Sequence, residues 1–244
     1  MCAVLQTLSQ LGRETARIVL HASCVVCNRE LPWRARTASC CGDCWGSLPL
    51  ISTAKCDSCA QPFAADVGAT RCLDCMSDPL PVAWTEAWGH YRGALERVLH
   101  AFKFQRHDWF AEPFADALHG LVAGRGESAF DAVVPVPMSR ARRRRRGYNQ
   151  AELLARALAR RLRVRCDTTL LSTRLERRTQ STLDKAARAA NVRGAFAASE
   201  RNTSKSILLV DDVCTTGETL RACAAALLRA RAARVCAVVV AKAT

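Results

Sequence analysis

The stretch ILLVDDVCTTGET, Ile207 to Thr219, runs four branched apolar residues into two adjacent carboxylates, then into two threonines, a glycine and another threonine. An apolar run without alternation predicts a strand buried on both faces, as in a parallel sheet covered by helices. Ligands bind such sheets beyond the carboxyl ends of the strands, which puts Asp211 and Asp212 at the binding edge. The turn that follows leads into a helix beginning near Thr219. Its backbone amides, the hydroxyls of Thr215, Thr216 and Thr219, the flexibility of Gly217 and the positive helix terminus all favour a bound phosphate. The carboxylates ask instead for hydroxyl donors or a magnesium ion. A ribose 5-phosphate meets both demands. A phospho-receiver domain would place nearly its whole length after this strand, yet only 32 residues follow Asp212. A nucleotide hydrolase would carry G-x-x-x-x-G-K-[ST], which is absent from the chain. Ordinary helix capping accounts for one Asp and one Thr but not for the combination.

Outward from this stretch, strands and helices alternate from Trp84 onward. EAWGHYRG reads as an edge strand, followed by a helix carrying Leu95, Val98, Leu99 and Phe102. FDAVVPVP is a short buried strand closed by Pro135 and Pro137, and NQAELLARALARRL is a helix that Asn149 can cap. TLRACAAALLRARAA is an alanine-rich helix and RVCAVVVA a final buried strand. The fold class is α/β, with a parallel sheet and helices on both faces.

The 244 residues allow one full domain and a small one, and half of them are apolar, as in a globular protein. No apolar run approaches membrane-spanning length. Leu5, Leu8, Leu11 and Ile18 follow roughly helical spacing, interrupted by polar residues. That pattern is unlike a signal peptide, so a cytoplasmic protein is expected. Residues 1–80 hold seven basic and seven acidic residues, so the net +14 belongs entirely to residues 81–244. Residues 138–193 alone hold seventeen basic and four acidic residues. A spread-out excess would serve solubility; a concentrated one points to polyanionic partners such as phosphates, pyrophosphate or nucleic acid.

Ten of the fourteen cysteines precede residue 76. Eight form a repeat: Cys24-x2-Cys27, thirteen residues, Cys41-x2-Cys44; then Cys56-x2-Cys59, twelve residues, Cys72-x2-Cys75. Each Cys-x-x-Cys puts two thiolates on one tight knuckle, and two knuckles complete a tetrahedral zinc site. Disulfides would require an oxidising compartment, and an iron–sulfur cluster also takes four cysteines, but duplicated knuckles suit zinc better. Two structural zinc ions are expected, paired within each repeat. Interleaved pairing and Cys40 in place of Cys41 stay open. Metal binding would supply the folding energy of a region with little core of its own.

With these motifs in place, ILLVDDVCTTGET resembles the phosphoribosyl diphosphate (PRPP) binding motif of type I phosphoribosyltransferases. Together with the Cys-rich front, AFKFQRHD, VVPVPMSRARRRRRGYNQAELLARALA and RRTQSTLDKAARAANVRGAF, the chain resembles the ComF family of competence-associated proteins over nearly its full length. The resemblance implies an N-terminal helix and double zinc ribbon in residues 1–80 and a phosphoribosyltransferase-like domain in residues 81–244. It implies that Asp211 and Asp212 hold the ribose hydroxyls of PRPP, and that Thr215, Thr216, Gly217 and Thr219 surround its 5-phosphate. Ser139 and Arg140 fall at the pyrophosphate loop, and Lys103 matches a basic position of the family. Arg178, Gln180, Arg188 and Arg193, with Thr179 and Asn191, fall in a hood over the site and would carry catalysis. Arg146 would serve the active site, and Arg142, Arg143, Arg144 and Arg145 a general anion or nucleic-acid surface. The implied reaction is magnesium-dependent transfer of ribose 5-phosphate with release of pyrophosphate. The implied partners are PRPP, single-stranded DNA and the DNA-uptake machinery. A different class of protein, a non-catalytic nucleic-acid-binding or regulatory factor on the same fold, is the alternative.

Overall fold

β6 (Ser206–Cys214) lies at the centre of a five-stranded sheet whose order is β1 (Thr85–His90), β7 (Arg234–Lys242), β6, β2 (Ala132–Pro135) and β3 (Arg165–Cys166). Every pairing in it is parallel. The computed structural model describes residues 23–31, 39–64, 68–126, 129–173, 194–200 and 204–243. The stretch from Leu5 to Ile18 therefore lies outside the described residues, as do Arg178, Thr179, Gln180, Arg188, Asn191 and Arg193.

The buried runs read from the sequence occupy the middle of the sheet. Ile207 to Val210 of β6 are wholly buried, as are Cys236 to Ala241 of β7. Burial on both faces is what parallel strands covered by helices require. α3 (Gly93–Phe104) buries Leu95, Val98, Leu99 and Phe102. α6 (Gln150–Leu162) starts at Asn149, whose Oδ1 accepts from the Ala151 amide at 3.2 Å. Before α3 come the one-turn helices α1 (Gly42–Gly46) and α2 (Leu73–Ser77).

Two helices are not evident in the apolar pattern. α4 (Ala111–Gly124) contains Pro113 and two glycines, but the proline stands in the first turn, where a missing amide costs no intrahelical bond. α5 (Arg140–Arg146) is made almost wholly of arginine, whose like charges at i,i+4 oppose helix formation. Its ends hold it. Ser139 Oγ accepts from the Arg142 amide at 3.4 Å, and Gly147 closes the helix at φ 86°, where only glycine is unstrained. β4 (Leu171–Thr173) and β5 (Phe196–Ala198) form a separate two-stranded antiparallel sheet.

α7 (Glu218–Arg229) packs Leu220, Cys223 and Leu227 into a cluster with Ile207, Leu209, Ala237 and Val239 from one face of the sheet. Cys56, Cys59, Cys75 and Leu80 belong to that same cluster. The chain accordingly divides into compact units Met1–Leu48 and Pro49–Thr244. The second cysteine group belongs to the larger unit, where Cys56, Cys59 and Cys75 join the cluster that covers the sheet. Among the described residues no helix is long and apolar enough to cross a membrane.

Candidate functional site

Asp211 and Asp212 are consecutive residues near the end of β6, so their side chains leave the strand on opposite faces. Asp212 is buried and pairs with Lys103, Nζ to Oδ1 at 3.0 Å. Asp211 accepts the amide of Asp212 at 2.9 Å. Burial pushes the Asp211 carboxyl up to about 8, with the neighbouring charge of Asp212 adding to the rise. With Lys103 paired to Asp212, burial and the adjacent charge favour the protonated form of the Asp211 carboxyl.

The chain then turns through Thr215, Thr216 and Gly217. Both threonines are exposed, as is Thr219 in the first turn of α7. Gly217 is buried at φ 85° and caps the helix. A Cβ there would come within 3.1 Å of Leu80. The turn is also held from β7: buried Lys242 donates from Nζ to the Thr215 carbonyl. Lys242 carries no signal in the sequence, since it reads as the polar end of a strand.

Lys103 owes its position to the RGYNQ segment. Tyr148 donates to the Phe102 carbonyl at 2.5 Å, and Gln150 donates to the Lys103 carbonyl at 3.3 Å. Asn149, while capping α6, donates to the Val136 carbonyl at 3.0 Å. The Val136 amide in turn bonds the Val210 carbonyl, one residue before the carboxylate pair. One short segment therefore ties the C-terminus of α3, the loop after β2 and the end of β6 into one edge. Arg146 joins the edge. Its guanidinium bonds Gln150 at 3.2 Å and lies 4.7 Å from the Phe104 ring centroid. Burial holds it below its ordinary value, while the charges of Asp212 and Asp211 act in the opposite sense.

Ser139 and Arg140 follow Val136 within four residues, as the cap and the first residue of α5. A cavity of ≈ 680 Å³ opens beside them, lined among others by Arg140, Arg143, Asn149, Glu152 and Ser172. Arg142, Arg143, Arg144 and Arg145 are exposed and Arg146 is half-buried, so the run is divided between solvent and the site edge. Arg143 also pairs with Glu152 at 3.1 Å.

The eight cysteines form two groups, Cys24, Cys27, Cys41, Cys44 and Cys56, Cys59, Cys72, Cys75, with all ligand atoms of each group within 4.8 Å of one another. Pairing is therefore within each repeat. Cys40 stands outside, its thiol directed to the Cys41 carbonyl at 3.6 Å and pushed up to about 12 by burial. Tetrahedral zinc with Zn–S of about 2.3 Å needs sulfurs about 3.8 Å apart. Cys27 and Cys41 are 3.8 Å apart and Cys59 and Cys72 3.7 Å, far beyond a disulfide bond. Burial raises the Cys24 thiol, but the amides of Cys41, Cys27 and Val26 together outweigh it and bring it down to about 6. The donor sets fit two structural zinc ions.

Among families, a Phosphoribosyl transferase domain model matches residues 148–244 and a Double zinc ribbon domain model residues 15–76. The DNA utilization protein YhgH of Escherichia coli is 31% identical over 201 residues, spanning 78% of this chain and 88% of the relative. Competence protein F of Haemophilus influenzae is 29% identical over 198 residues, spanning 74% and 86%. Competence protein ComFC of Bacillus subtilis is 26% identical over 220 residues, spanning 84% and 88%. A phosphoribosyltransferase-type parallel sheet, two four-cysteine groups and these relatives agree, and the chain belongs to the ComF family.

Proposed function

We propose that the chain binds PRPP with magnesium at the carboxyl edge of β6 and transfers its ribose 5-phosphate to an acceptor, releasing pyrophosphate. One observation carries this reading: the Asp211–Asp212 pair runs directly into an exposed threonine turn at the start of α7. The turn's amides and hydroxyls suit a 5-phosphate, and the carboxylates suit the ribose hydroxyls. The raised Asp211 carboxyl fits a position that gains from hydroxyl donors or a hard cation. Magnesium, when bound, supplies charge neutralisation to the departing pyrophosphate.

The remaining work falls to the chain. Displacement at the anomeric carbon passes through an oxocarbenium-like state while negative charge builds on the leaving group. Ser139 and Arg140, at the start of α5, would receive that charge, and Lys103 and Arg146 border the β6 edge. The family resemblance assigns to Arg178, Gln180, Arg188 and Arg193, outside the described residues, the task of keeping water from acting as nucleophile. The functional division falls near residue 80, ahead of β1, and residues 1–80 serve as the zinc-bearing accessory. A cytoplasmic location suits thiolate ligands that have to stay reduced.

The test is pyrophosphate release from PRPP and magnesium, screened against nucleobases and ammonia. Release that depends on one acceptor and on Asp211 and Asp212 supports the transferase. Tight PRPP binding without release under any acceptor would leave a binding protein in its place.

A second reading is favoured by the exposed Arg142–Arg145 face of α5. The relatives named for competence and DNA utilization give it direction: the chain would handle single-stranded DNA alongside DNA-uptake proteins, with or without turnover.

A further inference from the structure

The second cysteine group lies against the threonine turn. Cys59 presents its carbonyl to the Cys214 thiol at 4.0 Å, immediately before Thr215. The Ser58 hydroxyl, on the same knuckle, accepts the Leu80 amide at 2.7 Å, and Leu80 is the residue whose side chain fills the space a Cβ on Gly217 would need. The Ser58 carbonyl also accepts the Thr85 hydroxyl at 2.7 Å, fixing the knuckle to the start of β1. On the other side of the turn, Arg221 in α7 donates to the Pro79 carbonyl at 2.9 Å and to the Asp78 carboxylate and carbonyl at 3.0 Å. Asp78 and Pro79 stand just after Cys75, the last ligand of the group. Ligand-bearing segments therefore hold the turn at Cys214, at Gly217 and through Arg221.

We propose that the second cysteine group and the Thr215–Gly217 turn are thermodynamically coupled. Metal held by Cys56, Cys59, Cys72 and Cys75 orders the turn for an anion, and an anion in the turn tightens the hold on that metal. Linkage makes the two effects equal in free energy. The contacts that carry the coupling all lie within the unit Pro49–Thr244. The anion half of the proposal rests on the PRPP reading; the ordering half does not.

Both halves are read on the full-length zinc-loaded chain. Hydrogen–deuterium exchange of residues 213–220 is compared in wild type, Cys72→Ser, Arg221→Gln and Cys27→Ser. Arg221→Gln keeps every cysteine ligand, so it stays informative if Cys72→Ser does not fold. Exchange should accelerate about fivefold or more in Arg221→Gln and in folded Cys72→Ser, the lower range of ordinary site-to-site coupling. Cys27→Ser should match wild type. Zinc release at equilibrium in competition with a chromogenic chelator should also be greater in Arg221→Gln. Wild-type exchange in the turn of Arg221→Gln, with wild-type zinc release, overturns the proposal. If the turn responds but PRPP with magnesium leaves zinc release unchanged in wild type, the ordering half stands and the anion half is overturned.

Discussion

The two cysteine groups repeat one spacing but meet different surroundings. In the first, Cys27 is exposed and Cys41 and Cys44 are half-buried, within a unit that ends at Leu48. In the second, Cys56, Cys59 and Cys75 are buried in a cluster that includes strand residues Ile207, Leu209 and Val239. The same metal chemistry thus serves a small self-contained unit in one case and part of a sheet's covering layer in the other. The charges around the second group reinforce that placement. Lys55 pairs with Glu86 at 2.5 Å, and Arg125 reaches both Glu86 and Asp57 at 2.7 and 2.8 Å. Such half-buried ion pairs fix geometry more than they add stability.

The largest effect should separate the groups outright. Cys59→Ser and Cys27→Ser should each remove about one zinc per chain by metal analysis. Cys59→Ser should also lower the melting temperature of the larger unit by roughly 10 °C, since several kcal/mol are at stake and each shifts a domain of this size by about 2–4 °C. Cys27→Ser should shift that transition by less than about 3 °C on the same scale. Equal shifts in calorimetry would erase the distinction.

The next effect lies at the edge that the second group supports. Folded protein keeps a proton on Asp211 up to about pH 8, whereas the unfolded chain releases it near 3.8. Rising pH between those values therefore favours unfolding, by at most about 1.4 kcal/mol per pH unit, and the effect levels off above 8. Asp211→Asn should gain on wild type across that window in pH-dependent denaturant titrations. A constant difference from about pH 5 to about pH 8 would contradict a raised Asp211 carboxyl.

Gly217→Ala tests the turn itself. A non-glycine residue at φ 85° costs about 1–3 kcal/mol, and the added Cβ also presses on Leu80. Urea denaturation should report a loss in that range, and none would mean that the turn yields freely. The smallest effect on stability belongs to the exposed arginines. Replacing Arg142 to Arg145 by Gln should leave folding unchanged and, on the second reading, flatten the salt dependence of the proposed single-stranded DNA binding by about 0.7 in log–log slope for each phosphate no longer neutralised. Loss of PRPP binding with unchanged DNA affinity would assign the run to the β6 edge.

Much of this was legible in the residues. The apolar runs of β6 and β7 announce a parallel sheet because no polar alternation interrupts them, and the cysteine spacing announces two metal groups because ligand geometry is local. Pairings that join distant segments were not legible. Nothing in the sequence ties Leu80 to Gly217, Arg221 to Asp78, or Lys242 to Thr215; each exists only after the sheet has ordered its strands. α5 escaped because its helix rests on a serine cap and a left-handed glycine rather than on an apolar face. Tyr148 and Gln150 gave a faint signal, as polar residues next to the cap Asn149 that end up facing inward.

Calorimetric titration of the zinc-loaded chain with PRPP and magnesium tests the account most directly. One site per chain is expected in wild type, and Asp211→Asn with Asp212→Asn should weaken it by several kcal/mol, because on the proposed reading two acceptors for the ribose hydroxyls are lost. Cys27→Ser should bind as wild type does. No binding to wild type, or wild-type affinity in the folded double variant, would contradict the assignment of the β6 edge to a ribose phosphate.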